Sequence, residues 1–131
     1  MKYIKKGHKF TFKESNDLEK RREIVQSYLE KIKERAHDPV LIRAEPYGDS
    51  TLRPINRIMV FESTLGCIRV LMSIRKELQL ANQQSLFLFA GKDLLEIGSK
   101  VAYLKDRADE DGLVYISYAD YDVFGDLSDQ T

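Results

Sequence analysis

The sequence predicts an α+β domain, a mixed four-stranded sheet wrapped around a central helix, with an additional helical segment in front. Three observations carry this. Two runs rich in β-branched residues, 40–45 and 57–62, are separated by turn residues and read as a hairpin. An amphipathic helical pattern lies between the second and third strand-like runs. The closing run Leu113-Val114-Tyr115-Ile116-Ser117-Tyr118 alternates β-branched and aromatic residues without Gly or Pro, as a packed strand does. At 131 residues, 43% hydrophobic and 32% charged, the chain is long and apolar enough for one domain with a proper core.

In order along the chain, residues 1–15 form a basic arm or short helix. Lys2, Lys5, Lys6, Lys9 and Lys13 are mixed there with Tyr3, Ile4, Phe10 and Phe12. Asn16, followed three residues on by Glu19, resembles a capping box, and Leu18, Val25, Tyr28, Leu29, Ile32 and Ala36 recur at helical spacing, so an amphipathic helix is expected over about 17–35. Pro39 opens the strand Val40–Glu45, and Pro46-Tyr47-Gly48-Asp49-Ser50 has turn chemistry. A polar loop to Asn56 precedes the second strand, Arg57–Glu62.

Ser63 or Thr64 is expected to cap a second helix with the apolar stripe Leu65, Ile68, Leu71, Met72, Ile74 and Leu78. Ser85-Leu86-Phe87-Leu88-Phe89-Ala90 is apolar on both faces, as in a central strand, and Gly91-Lys92-Asp93 turns out of it. A short helix is expected over 94–105, then the acidic turn Asp109-Glu110-Asp111-Gly112, then the last strand. Without the leading helix this is the ββαβ, short helix, β order of the ubiquitin-like β-grasp. The domain is expected over 16–119 and a flexible tail over 120–131.

Lys plus Arg and Asp plus Glu both number 21, so no overall field draws the chain to nucleic acid. The charges are polarised instead. The first 13 residues hold five lysines and no acid, whereas 106–131 hold eight acids against Arg107 alone. No apolar run is long enough for a bilayer span, so membrane contact must come from surface charge or a covalent lipid. The lone Cys67 precludes an internal disulfide, fits a reducing cytoplasmic setting, and reads as a buried inert thiol. His8 and His37 have no partner at metal or triad spacing, and Gly91-Lys92 lies outside any phosphate-cradling glycine run. No enzymatic activity, metal or cofactor is expected, and the chain is expected to be a monomer.

The tail carries its own signal. Phe124 stands among acids and Gly125 follows it. A glycine whose carboxyl group is freed presents an acyl group with no flanking side chain, on backbone that can enter a narrow slot.

Several stretches resemble the autophagy-related protein 8 family of ubiquitin-like modifiers, which includes microtubule-associated protein light chain three and the GABA-receptor-associated protein. Phe12-Lys13-Glu14-Ser15 with Leu18-Glu19-Lys20-Arg21-Arg22 is similar to the family's entry motif, with Leu18 in the aromatic's place. Asp38-Pro39-Val40-Leu41-Ile42 resembles its first strand. Ile74 to Leu80 and Gln84 to Phe89 are similar to its helix end and the strand after it. Asp109 to Tyr118 resembles its last strand, with Phe124-Gly125 at the right distance.

The resemblance implies a precursor cut after Gly125 by a cysteine protease, with Phe124 as the enzymes' handle. Activating and conjugating enzymes then pass the glycine to phosphatidylethanolamine on the autophagosomal membrane. It also implies that short aromatic-x-x-aliphatic motifs of cargo receptors and adaptors add as a strand to the edge Arg57, Ile58, Met59, Val60 and Phe61. Pro39, Leu41 and Leu113 would take the aromatic, and Leu65, Val70 and Ile74 the aliphatic residue.

The edge strand departs from the family's Lys-Lys-Lys-Tyr-Leu-Val-Pro, and lacks the closing proline. A one-residue slip exchanges the faces of a strand, so Val60 and Phe61 are alternatives for the peptide-facing position. Glu77 reverses the charge of a basic residue that meets acids flanking the motif. A non-conjugated peptide-docking adaptor is the alternative reading.

Overall fold

The computed structural model describes residues 11–122. Lys2, Lys5, Lys6, Lys9 and His8 of the basic head, and Phe124 and Gly125, lie outside them. The first described element is a four-residue helix, α1 (Phe12–Ser15). A true capping box starts it: the Glu14 N–H donates to Thr11 Oγ1 (3.1 Å) and the Thr11 N–H to Glu14 Oε1 (2.9 Å). Helix α2 (Leu18–Ile32) follows with Asp17, not Asn16, as its N-cap, accepting from the Lys20 N–H at 2.8 Å. Asn16 instead donates its amide to the Phe12 carbonyl at 3.1 Å and so closes α1.

Strands β1 (Pro39–Pro46), β2 (Ile58–Glu62), β3 (Phe87–Ala90), β4 (Asp93–Leu94) and β5 (Val114–Ala119) form one mixed sheet in the order β2-β1-β5-β3-β4. β1 pairs antiparallel with β2, as the predicted hairpin requires, and parallel with β5. The sheet has five strands rather than the expected four. The extra one, β4, occupies what reads as a turn, because two residues are too short to show any periodicity.

Helix α3 (Ile68–Leu78) packs on one face of the sheet and α1 with α2 on the other. β1 serves both: Val40, Ile42 and Ala44 enter the main core with Val70, Ile74 and Leu78 of α3, and Leu41 enters a second cluster with Val25 and Ile32 of α2. The stretch read as a polar loop after the first strand drives Leu52 and Ile55 into the main core.

Two helix expectations are corrected. Ser63 does not cap the second helix. Its hydroxyl donates to Asp38 Oδ2 at 2.7 Å, and the helix starts five residues later, after Cys67, with no side-chain cap bond. Leu65, expected on the helical stripe, therefore lies in the preceding loop. The short helix expected over 94–105 is a 3-10 helix over Val101–Arg107. Residues before it are held by neighbouring strands and turns: the Leu95 N–H donates to the Leu88 carbonyl (2.8 Å), and the Ser99 carbonyl accepts from the Cys67 N–H (2.7 Å). These bonds spend the backbone groups that helix turns would need.

Candidate functional site: the free edge of β2

β2 lies at one end of the sheet, and one hydrogen bond fixes which of its backbone groups are spoken for. The Ser63 N–H donates to the Asp38 carbonyl at 3.0 Å. In an antiparallel ladder, bonded and non-bonded pairs alternate. The register Val40↔Phe61 and Ile42↔Met59 therefore places the backbone groups of Phe61 and Met59 toward β1, and those of Ile58, Val60 and Glu62 outward. The Tyr28 hydroxyl donates to the Ile58 carbonyl at 3.1 Å, as an outward group allows. Pro39 fits the same phase, since its missing N–H faces away from β2 and costs that ladder nothing.

The side chains settle the one-residue question. Ile58 and Val60 share a face with Leu41 and the α2 helix, whereas Met59 and Phe61 are buried in the main core with α3. Val60 is half-buried beside the free edge and Phe61 is covered, so Val60 is the one of the two presented on the α2 side.

Of the residues expected to hold an aromatic anchor, Leu41 and Leu113 form the floor of the α2-side cluster. Leu113 has no exposed surface, and Pro39 is half-buried. Pro39 and Leu41 line a cavity of about 190 Å³ together with Val25 and Leu29, which opens toward Lys105 and Gly112 and does not include Leu113. Of the aliphatic set, Val70 and Ile74 are core residues without exposed surface, and only Leu65 is partly open. They can shape a depression beside β2 only from beneath.

A shallow groove of about 290 Å³ runs along α2, lined by Lys20, Glu23, Ile24, Ser27, Tyr28 and Lys31. Ile24 and Tyr28, which pack against the cluster containing Leu41 and Ile58, stand at the site although the sequence reading gave them no role in it. Tyr28 was legible only as one member of the helical stripe; its bond to the sheet edge is a tertiary contact with no sequence signal.

Two departures, one at the end of the edge strand and one in α3, acquire structural reasons. Glu62, in the place of the closing proline, accepts the His37 and Asp38 N–H groups on its two carboxylate oxygens (2.8 and 3.1 Å) and so holds the turn into β1. Glu77 receives the Arg57 guanidinium on both oxygens (3.2 and 3.1 Å), and its carbonyl accepts from Arg53. Arg57 holds the Glu77 carboxyl below its ordinary value, and Glu77 in turn raises Arg57. The two charges of the edge's entrance are thus directed at each other.

A buried network keeps α2 in place over this edge. Asp111, whose side chain is fully buried, accepts from Arg21 Nε (2.8 Å), the Tyr115 hydroxyl (2.5 Å) and the Leu113 N–H (2.8 Å). Burial first, and then the bond to Asp111, push the Tyr115 hydroxyl far above its ordinary pKa. Lys13 adds a bond to Asp109 (2.7 Å) and stands 4.6 Å from the Tyr115 ring centroid.

A cavity of about 630 Å³ lies at the other end of the sheet between β4 and the 3-10 helix, with Leu94, Tyr103, Lys92 and Lys100 among its lining. Cys67 is at its base but 1% exposed, and burial raises its thiol pKa, which is the inert cysteine expected from the sequence.

Comparison with known proteins identifies the family. Residues 20–125 match the family model described as autophagy protein Atg8, ubiquitin-like. The chain belongs to the Atg8 family. Autophagy-related protein 8e of Arabidopsis thaliana is 29% identical over 116 residues, covering 87% of this chain and 92% of that protein. Autophagy-related protein 8 of Dictyostelium discoideum is 26% identical over 121 residues, covering 90% and 96%. The crystal structure of Trypanosoma brucei ATG8 superposes with a TM-score of 0.71 at 26% identity, covering 85% of this chain and 94% of that one. The fold is therefore the ubiquitin-like one, and this is a divergent Atg8-family autophagy protein. Among the described residues no helix is long and apolar enough to cross a membrane.

Proposed function

We propose that this Atg8-family chain is a conjugated modifier that works by carrying a peptide-docking edge to a membrane. The observation that carries the reading is that the family match runs through residue 125, and so includes Phe124 and Gly125. A processing protease's thiolate attacks the Gly125 carbonyl and expels the amine of Asp126, and water then hydrolyses the resulting thioester to leave the Gly125 carboxylate. That carboxylate is adenylated at the expense of ATP, releasing pyrophosphate, and is taken as a thioester by a cysteine of the activating enzyme, releasing AMP, and then by a cysteine of the conjugating enzyme. The amine of phosphatidylethanolamine displaces the last thiol to form an amide. Each transfer is an attack on a carbonyl carbon, and glycine leaves both approaches to that carbon open. The protein moves by this route from the cytoplasm to the autophagosomal membrane, where the covalent lipid supplies the attachment.

At the membrane, cargo receptors and adaptors with aromatic-x-x-aliphatic motifs add a strand to β2. The outward N–H groups of Ile58 and Val60 and the carbonyl of Val60 supply the backbone bonds, and the apolar surfaces on either side of the strand take the two anchors.

The test is the intact mass of the chain after incubation in cytosol from its own source, beside Gly125→Ala, followed by reconstitution with vesicles containing phosphatidylethanolamine. Loss of Asp126–Thr131 from the wild type alone, and then gain of a lipid mass, is the expected result. Full-length mass in both chains while a control precursor is cut would overturn conjugation and leave a docking adaptor.

A further inference from the structure

We propose that Tyr28 sets the anchor specificity of the β2 edge, acting as a gate that a large aromatic first anchor must displace in order to bind. The proposal rests on the docking reading above and concerns which peptides that edge accepts.

Tyr28 holds two positions that an incoming peptide needs. Its hydroxyl donates to the Ile58 carbonyl at 3.1 Å, one of the outward backbone groups on which an added strand would bond. Its half-buried ring packs against the cluster of Leu41, Ile58 and Leu113 and also lines the groove along α2. It therefore stands between the open groove and the apolar floor that a peptide's first anchor would have to reach. A hydroxyl bonded across 30 residues, from a helix to a sheet edge, also fixes the ring's direction.

A small or aliphatic anchor can sit in the groove against Ile24 with this bond intact. An indole or phenol requires the ring to turn, which breaks the bond to Ile58 and reopens packed surface. The bond is a neutral, part-buried one, and such bonds have a small net worth.

Two variants separate the hydroxyl from the ring. Tyr28→Phe keeps the ring and frees the Ile58 carbonyl, and Tyr28→Leu removes the ring as well. Affinities are measured by calorimetry or fluorescence anisotropy for two synthetic peptides that differ only in the first anchor, Trp or Leu, with the second anchor held as Leu. Tyr28→Phe should strengthen binding of the Trp peptide about fivefold, the worth of one net hydrogen bond, with a smaller change for the Leu peptide. Tyr28→Leu should move the Trp-to-Leu preference further in the same direction. The ratio of the two affinities is the readout, because a general loss of stability weakens both peptides and leaves it unchanged. Thermal melts of both variants accompany the titrations.

If both peptides bind and Val60→Pro abolishes binding, while neither Tyr28 variant changes the ratio or both reduce it, docking stands and the gate is wrong. If neither peptide binds the wild type or the variants, the docking reading and the gate fall together.

Discussion

Replacing Asp111 by alanine should be the most damaging single change on the α2 side of the sheet. The carboxylate has no exposed surface and accepts three hydrogen bonds, from Arg21, Tyr115 and Leu113. Its removal strands the Arg21 side chain, only 11% exposed, and a part-buried tyrosine hydroxyl. Deleting one partner of a buried, hydrogen-bonded ion pair typically costs about 3–5 kcal/mol, because the remaining charge keeps its desolvation cost and loses its partner.

Lys13 and Arg21 both also reach Asp109, at 2.7 and 3.7 Å, which offers Arg21 partial compensation, so the lower end of that range, about 3 kcal/mol, is expected. With a urea m-value near 2 kcal/mol per molar, the unfolding midpoint should fall by about 1.5 M. Equilibrium urea unfolding followed by far-UV circular dichroism measures this directly. The double variant Arg21→Met, Asp111→Ala should recover part of the loss, since it removes the orphaned cation. A midpoint shift below about 0.5 M for Asp111→Ala, with an unchanged m-value, would refute the claim that this network holds α2 on the sheet.

Two further predictions follow from the same geometry. Val60→Pro removes an N–H that faces outward, so it should cost at least tenfold in peptide affinity with a modest change in melting temperature, whereas Met59→Pro removes an N–H directed at Ile42 and should unfold the domain; paired melts and titrations separate the two. Acid should destabilise the fold in a defined window. Asp38, Asp109 and Glu77 are held below their ordinary values of 3.8, 3.8 and 4.5, chiefly by hydrogen bonds from Lys105, Lys13 and Arg57 respectively. The folded state thus binds fewer protons than the unfolded chain there. The stability these groups contribute is complete above the ordinary carboxylate values and is lost as pH falls through the lowered ones. Urea midpoints measured from pH 6 to pH 2 should decline on the acid side, and Lys13→Met should flatten part of that decline; an acid limb identical to the wild type would contradict the Lys13–Asp109 assignment.

Elements with a strong period or a specific motif were readable from the chain alone. The apolar repeat of 18–36 gave α2, the β-branched runs gave β1, β2 and β5, and Asp109–Gly112 gave the turn before β5, with Gly112 at φ +92° as a left-handed turn requires. The family resemblance was likewise carried by local strings, above all the contiguous run Asp109 to Tyr118.

Short or competitively bonded segments were not readable. β4 has two residues, and residues 94–100 carry a helical apolar spacing whose backbone bonds the neighbouring strand and turn take instead. Ser63 has the chemistry of a cap but is nearer to Asp38.

By itself, the sequence determined the composition of the two apolar faces, the ββαβ order and the candidate edge, since these depend on residue type and spacing along one strand or helix. Only the tertiary structure decided which face Val60 takes, that Arg57 and Glu77 spend their charges on each other, and that Tyr28 reaches the edge from a helix 30 residues away. Each of these is a contact between residues far apart in the chain. Such a contact depends on how the elements dock, and the periodicity of a single element carries no record of that.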